Sequence, residues 1–246
     1  MGEFTKEIRD IVVSIKSWAI IAVCTILFGV AAIFISFFGN DGNTQKVARL
    51  WGKTIIKLLG IKVSVDGIEN LNPSKSYLII SNHQSYFDIF VLLAYVDLNF
   101  KFIAKASLFK IPVLGWSMKR LGYIPIDRKN LKNALKTVKN AKSMLETDKY
   151  RSILIFPEGT RSADGKLASF KRGGLNKMVA NSDNILPVAI SGTYNILKKG
   201  SVMIYPKNPV RLTILNQISV PDDKEINPAG NFVLNIEKKI EDTLKS

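Results

Sequence analysis

The chain has 246 residues and a mass of 27.4 kDa; 47% of its residues are hydrophobic and 22% charged, enough apolar material for one sizeable core. A formal charge of +15 calls for a polyanionic neighbour, whether nucleic acid, an anionic bilayer or an acidic carrier. A single histidine excludes a histidine metal cluster, and a single cysteine, Cys24, excludes an intramolecular disulfide and permits a cytosolic setting.

The first ten residues mix both charges, and Ser17 to Phe38 then runs without a charge. As a helix this run would be roughly 33 Å long, too long for a cleaved signal peptide and enough to span or insert deeply into a hydrocarbon core, the alternative being a buried helix of a soluble core. Gly39 to Asn43 supplies turn residues that end it. Thr44 to Leu59 then places Val47, Leu50, Trp51, Thr54, Ile55 and Leu58 on one helical face and Lys46, Arg49, Lys53 and Lys57 on another. Two readings fit this pattern: an interfacial helix with a basic rim for anionic headgroups, or an amphipathic helix packed on a globular domain. The expected organisation is therefore a membrane-binding helical hairpin over residues 1–60 and a second domain over residues 61–246. Positive residues flank the apolar run on both sides, and the denser basic side is C-terminal, which favours a cell-membrane location with the main domain on the cytoplasmic side.

From Ile61 onward, short strand-like runs alternate with helical patterns. Strands are expected at Lys62 to Asp66, Tyr77 to Ser81, Phe100 to Ala104, Tyr123 to Ile126, Ser152 to Phe156, Leu186 to Ser191, Ser201 to Tyr205 and Val210 to Leu215. Helices are expected at Asp88 to Tyr95, Pro112 to Leu121, Leu131 to Leu145, Gly173 to Ala180 and Asn231 to Leu244. This order predicts an α/β fold with a mainly parallel sheet flanked by helices. The Leu131 to Leu145 helix carries a face of lysines, Lys129, Lys132, Lys136, Lys139 and Lys142, which is either solvated or suited to an acidic carrier or membrane surface.

Two clusters carry chemistry. The first, SNHQSYFD at Ser81 to Asp88, places His83 five positions before Asp88 in a strand-to-helix turn. On one continuous helix the two side chains would point about 140° apart, so they meet only if His83 precedes the first turn. Ser85 followed by Asp88 reads as a capping box that makes this break. His83 is then either a general base oriented by a carboxylate or a structural histidine beside a cap. The second cluster, PEGTRS at Pro157 to Ser162, ends a strand and projects Glu158 and Arg161 from a tight loop at Gly159. It is either an anion site or an ordinary polar turn.

Four ordered blocks, NHQSYFD at Asn82 to Asp88, GYIPIDR at Gly122 to Arg128, FPEGTRS at Phe156 to Ser162 and LPVAI at Leu186 to Ile190, resemble those of the glycerolipid acyltransferase family, the lysophosphatidic acid acyltransferases in particular. A single H-x4-D is weak, but its combination with FPEGTR some seventy residues later is specific. The resemblance covers about half the chain. It implies that His83 and Asp88 are the catalytic pair, and that Glu158, Gly159, Thr160 and Arg161, with Arg128 and Lys105, bind the phosphorylated glycerol backbone. Pro125 departs from the large apolar residue usual in the second block. The two N-terminal hydrophobic segments are similar to the membrane element of bacterial members.

The implied activity is acyl transfer from acyl-CoA or acyl carrier protein to lysophosphatidic acid at an anionic membrane, with no cofactor and no metal. Other lysophospholipids or an aminolipid are alternative acceptors, and a non-catalytic membrane lipid binder is the alternative outside enzymes. The absence of G-x-S-x-G argues against a serine hydrolase. No helix-turn-helix, RNA-binding aromatic motif or zinc knuckle accompanies the basic charge, so nucleic acid is not an expected partner.

Overall fold

A long apolar helix leads the chain. In a computed structural model describing residues 2–39, 41–127, 152–220 and 228–245, α1 (Gly2–Phe38) has 37 residues and a length of about 55 Å. It starts well before the uncharged run, because Lys6, Arg9 and Lys16 lie on its exposed side. Its composition and length suffice to cross a membrane, and only 22% of its most apolar window is buried. Two residues, 39 and 40, separate it from α2 (Asp41–Leu58).

The α2 helix packs on α3 (Phe87–Tyr95), where the Trp51 and Phe90 rings meet edge to face with centroids 5.0 Å apart, and its Val47, Ala48, Ile55 and Ile56 are buried. The contact is close because Gly52 faces α3: a Cβ there would sit 2.7 Å from the Phe90 carbonyl oxygen. Leu50 and Leu58, expected on the same face, are exposed because the inward face centres on Gly52 instead. Cys24 of α1 and Ala48 and Ile55 of α2 belong to one core cluster with residues of the sheet and α3, so the core runs unbroken across residue 60.

Eight strands form one sheet among the described residues: β1 (Val63–Asp66), β2 (Leu78–Ser81), β3 (Phe100–Lys105), β4 (Ile124–Ile126), β5 (Ser152–Ile155), β6 (Asn184–Ser191), β7 (Val210–Ile214) and β8 (Ile218–Ser219). Their order is β1-β7-β6-β2-β5-β3-β4, with β8 also pairing β6. The pairs β2–β6, β2–β5, β5–β3, β3–β4 and β1–β7 are parallel, and only β6–β7 and β6–β8 are antiparallel. The mainly parallel α/β architecture expected from the sequence is thus the observed one.

Every residue of β2 and β5 is buried, as strands covered on both faces require. Alternation divides the core: Ile79 and Leu154 face α2 and α3, whereas Leu78, Ile80, Ile153 and Ile155 face α5 (Arg172–Val179) and α7 (Pro228–Lys245). On the first side, α4 (Leu114–Arg120) packs against α1. A short helix unread in the sequence, α6 (Thr193–Ile196), follows β6.

The segment expected as a strand at Ser201 to Tyr205 joins no sheet. The Ile204 N–H donates to the Ser14 hydroxyl of α1 (2.9 Å), and the Trp18 indole N–H donates to the Val202 carbonyl (2.8 Å). Its backbone therefore bonds α1 in place of a ladder, and the Val202 side chain stays exposed. The expected helix at Leu131 to Leu145, its lysine face and Arg128 lie outside the described residues.

Candidate active site

Strand polarity assembles the site. Because β5, β2 and β6 are adjacent and parallel, the segments leaving their C-terminal ends share one edge of the sheet. These segments are Pro157 to Ser162 after β5, Asn82 to Asp88 after β2, and Gly192 and Thr193 after β6. Lys105 ends β3, next along, at the same edge. Open α/β sheets place their ligands at this edge. Asn82 extends the β2–β6 ladder with its side chain: its Nδ2 donates to the Ile190 carbonyl, and the Ile190 N–H donates to its Oδ1, both at 2.8 Å.

His83 and Asp88 meet, with imidazole Nδ1 2.7 Å from Asp88 Oδ2. The same oxygen accepts the Gln84 N–H (2.7 Å) and the Ser85 N–H (3.0 Å), and Thr193 donates its hydroxyl to Oδ1. A carboxylate receiving these donors is an acceptor only, so the pairing requires a proton on Nδ1 and leaves the Nε2 lone pair of neutral imidazole free. Phe156 stacks on the ring at 4.0 Å and 12°, which fixes its plane.

Half of the expected capping box is present. The Asp88 carboxylate reaches back to the Ser85 N–H, but the Ser85 hydroxyl donates to the Leu197 carbonyl (2.8 Å) and caps nothing.

Glu158 faces inward from its loop. Grouped by resemblance with the phosphate ligands, it is buried and accepts the His83 N–H on Oε1 (2.6 Å) and the Ala168 N–H on Oε2 (2.9 Å). Oε1 thus ties the loop to the His83 turn, and Oε2 ties it to Ala168, ten residues further along. Burial pushes its pKa up, the two N–H bonds and nearby Asp88 and Glu237 act more weakly, and the result is about 7. The Ser162 N–H adds a further tie to the His83 carbonyl (2.8 Å).

Gly159 turns the loop with φ +71°, and a Cβ there would meet the Lys171 ammonium at 3.0 Å. This conformation carries Thr160 and Arg161 outward. The Arg161 guanidinium lies over the Tyr86 ring, 3.7 Å from its centroid. His83, Tyr86, Lys105, Thr160 and Arg161 all line one cavity of about 870 Å³. From this polar mouth it extends between α1, α2, α3 and α4 along largely apolar walls that include Ile21, Phe28, Ala48, Ile89 and Leu114.

The sequence motifs therefore converge, and the chain's similarity to known proteins can be set beside that geometry. Residues 62–191, just over half of the chain, match the family model described as Acyltransferase. The chain belongs to the acyltransferase family. It is 36% identical over 169 residues to the chloroplastic 1-acyl-sn-glycerol-3-phosphate acyltransferase LPAT1 of Arabidopsis thaliana, an alignment covering 68% of this chain and 46% of that one. Against the 1-acyl-sn-glycerol-3-phosphate acyltransferase of Saccharomyces cerevisiae the identity is 29% over 255 residues, covering 100% of this chain and 79% of the relative. The crystal structure of the 1-acyl-sn-glycerophosphate acyltransferase PlsC from Thermotoga maritima superposes with a TM-score of 0.80 at 27% identity, covering 98% of this chain and 99% of that one. The chain spans about half the length of its plant and algal relatives.

Three residues of this acyltransferase site escaped the motif reading. Thr193 lies 105 residues after Asp88, and only the sheet brings it there. Tyr86 and Phe156 sit inside the motifs, but their spacing does not reveal that their rings hold Arg161 and His83.

Proposed function

We propose that this acyltransferase moves a fatty acyl group from a thioester, acyl-CoA or acyl carrier protein, to the sn-2 hydroxyl of lysophosphatidic acid, forming phosphatidic acid. The observation that carries this reading is the His83–Asp88 pair at a cavity mouth bearing Lys105 and Arg161, with an apolar chamber behind it. Its volume suits a ligand-sized guest, since such pockets span roughly 300–1,000 Å³. The base and the anion site fit an acceptor with one hydroxyl and one phosphate, and the hydrocarbon chamber fits the fatty acyl chain that the donor brings to them.

In this reading His83 Nε2 takes the proton of the acceptor hydroxyl as its oxygen attacks the thioester carbonyl. Asp88 holds the Nδ1–H tautomer and stabilises the imidazolium. The tetrahedral intermediate collapses with cleavage of the C–S bond, and the departing thiolate takes the proton from Nε2. Arg161, Lys105, Thr160 and Arg128 hold the acceptor phosphate, while Gly159 gives their loop its turn. The α1 helix attaches the protein to the membrane, with an anionic leaflet answering the basic surface and the site on the cytoplasmic side.

The test is acyl transfer by the detergent-purified chain, offered acyl-CoA or acylated carrier protein with lysophosphatidic acid, with lysophosphatidylcholine or with no acceptor. Thiol release coupled to phosphatidic acid, only with lysophosphatidic acid, is the expected result. Equal transfer to lysophosphatidylcholine, or thiol release without an acceptor, replaces the reading.

A further inference from the structure

Arg161 is a half-buried cation that forms no ion pair among the described residues. Its contact is the Tyr86 ring, with the guanidinium carbon 3.7 Å from the centroid. Tyr86 is 46% exposed, too open to serve as a core residue, and it lines the cavity mouth beside Arg161. Neither the H-x4-D nor the E-G-T-R pattern specifies a residue for this contact.

A guanidinium stacked on an aromatic face keeps its N–H groups in the plane, directed away from the ring and available to a forked acceptor. Here the stack adds a second constraint. The residue after Arg161 is tied to His83 by the bond from Ser162 N–H to the His83 carbonyl. Tyr86 precedes α3 in helical conformation (φ −61°, ψ −24°), between His83 and Asp88 in the same turn. The guanidinium is therefore held at both its root and its head by the turn that carries the imidazole. An arginine so fixed presents an oriented fork at a set separation from the base.

Resting on the acyl-transfer reading above, we propose that Tyr86 is a positioning residue for acceptor selection. Its ring orients Arg161 so that a phosphomonoester takes two parallel N–H groups of one guanidinium edge while the neighbouring hydroxyl reaches His83. A phosphodiester such as that of lysophosphatidylcholine, with one oxygen masked by choline and lower charge, gains less from the oriented fork. Tyr86 thus contributes to discrimination between the two, without taking part in proton transfer.

Calorimetric titration of the detergent-solubilised full chain with lysophosphatidic acid and with lysophosphatidylcholine tests this without requiring turnover. In Tyr86→Leu, Kd for lysophosphatidic acid is expected to rise about two- to thirtyfold, the range of exposed to desolvated cation–π contacts. Kd for lysophosphatidylcholine should move less, and Tyr86→Phe should restore the parent ratio. In an Arg161→Ala background Tyr86→Leu should have no further effect. Where transfer is measurable, acceptor KM rises while kcat and donor KM hold.

Equal loss in the Leu and Phe variants, an unchanged ratio in Tyr86→Leu, an additive effect on Arg161→Ala, or no binding of lysophosphatidic acid by the parent overturns the proposal. Tyr86-dependent binding without transfer to any acceptor removes the acyl-transfer reading and leaves the grip on phosphate standing. Transfer with a Tyr86-independent Kd does the reverse.

Discussion

At the mouth of the cavity, Asp88 accepts from a ring nitrogen, two backbone N–H groups and a hydroxyl, and Glu158 ties the two motif loops together. Along the walls, Ile21, Phe28, Ile89 and Leu114 offer apolar surface with no directional bond to fix a guest. The mouth is specified by donor and acceptor positions, and the walls by volume. Damage should follow the same division: changes at the mouth should slow every donor alike, whereas changes in the walls should discriminate among donors by chain length.

The largest effect is expected at the mouth. His83→Ala should lower kcat by about 10²- to 10⁴-fold for all acyl chains, the usual scale of general-base catalysis, while lysophosphatidic acid still binds in a titration. Activity within tenfold of the parent would remove His83 from the reaction. Next comes Ala48 in the wall of the chamber. Ala48→Leu should cut kcat/KM for the longest acyl donors by roughly 10- to 200-fold and spare short ones, a scale set by single methylenes in apolar pockets. A uniform loss across a chain-length series would break the division between mouth and wall.

The pH dependence of stability sharpens the comparison from the mouth. Below pH 4.5 the Glu158 carboxyl is protonated in both folded and unfolded chains; between pH 4.5 and about 7 only the folded chain keeps the proton. The folded state then binds more protons, so its stability falls as pH rises through that window. Relative to Glu158→Gln, the parent should lose on the order of 3 kcal/mol across it, measured by denaturant unfolding. A flat difference would mean that burial does not govern this carboxyl. The smallest effect is expected for Thr193→Val, which removes one hydroxyl from Asp88 and should cost about 1 kcal/mol in stability.

The legible parts of the sequence were those with local causes. The break between His83 and Asp88 follows from five-residue spacing, and the strand ends follow from the buried runs of β2 and β5. The illegible parts were decided by distant partners. Ser85 looked like a cap, yet its hydroxyl is drawn to Leu197, 112 residues away. Val202 and Ile204 alternate like a strand, but the Ile204 N–H is taken by Ser14, 190 residues earlier. Leu50 and Leu58 fit the apolar face of α2 by periodicity, while the close approach at Gly52 turns that face elsewhere. Glu158 follows the same rule, since the partner of its Oε1 is the His83 N–H, 75 residues earlier.

The helix α1 is a wall of the chamber as well as the most apolar segment: Ile21, Thr25 and Phe28 line the cavity, while Ser14 and Trp18 pin the helix to residues 202–204. Trimming it to gain solubility would open the chamber along one side and leave the Ile204 N–H and Val202 carbonyl without these partners. For anyone preparing this protein, α1 is therefore one side of the chamber even though most of its own surface is exposed, and an active sample should come from detergent or lipid nanodiscs in place of truncation.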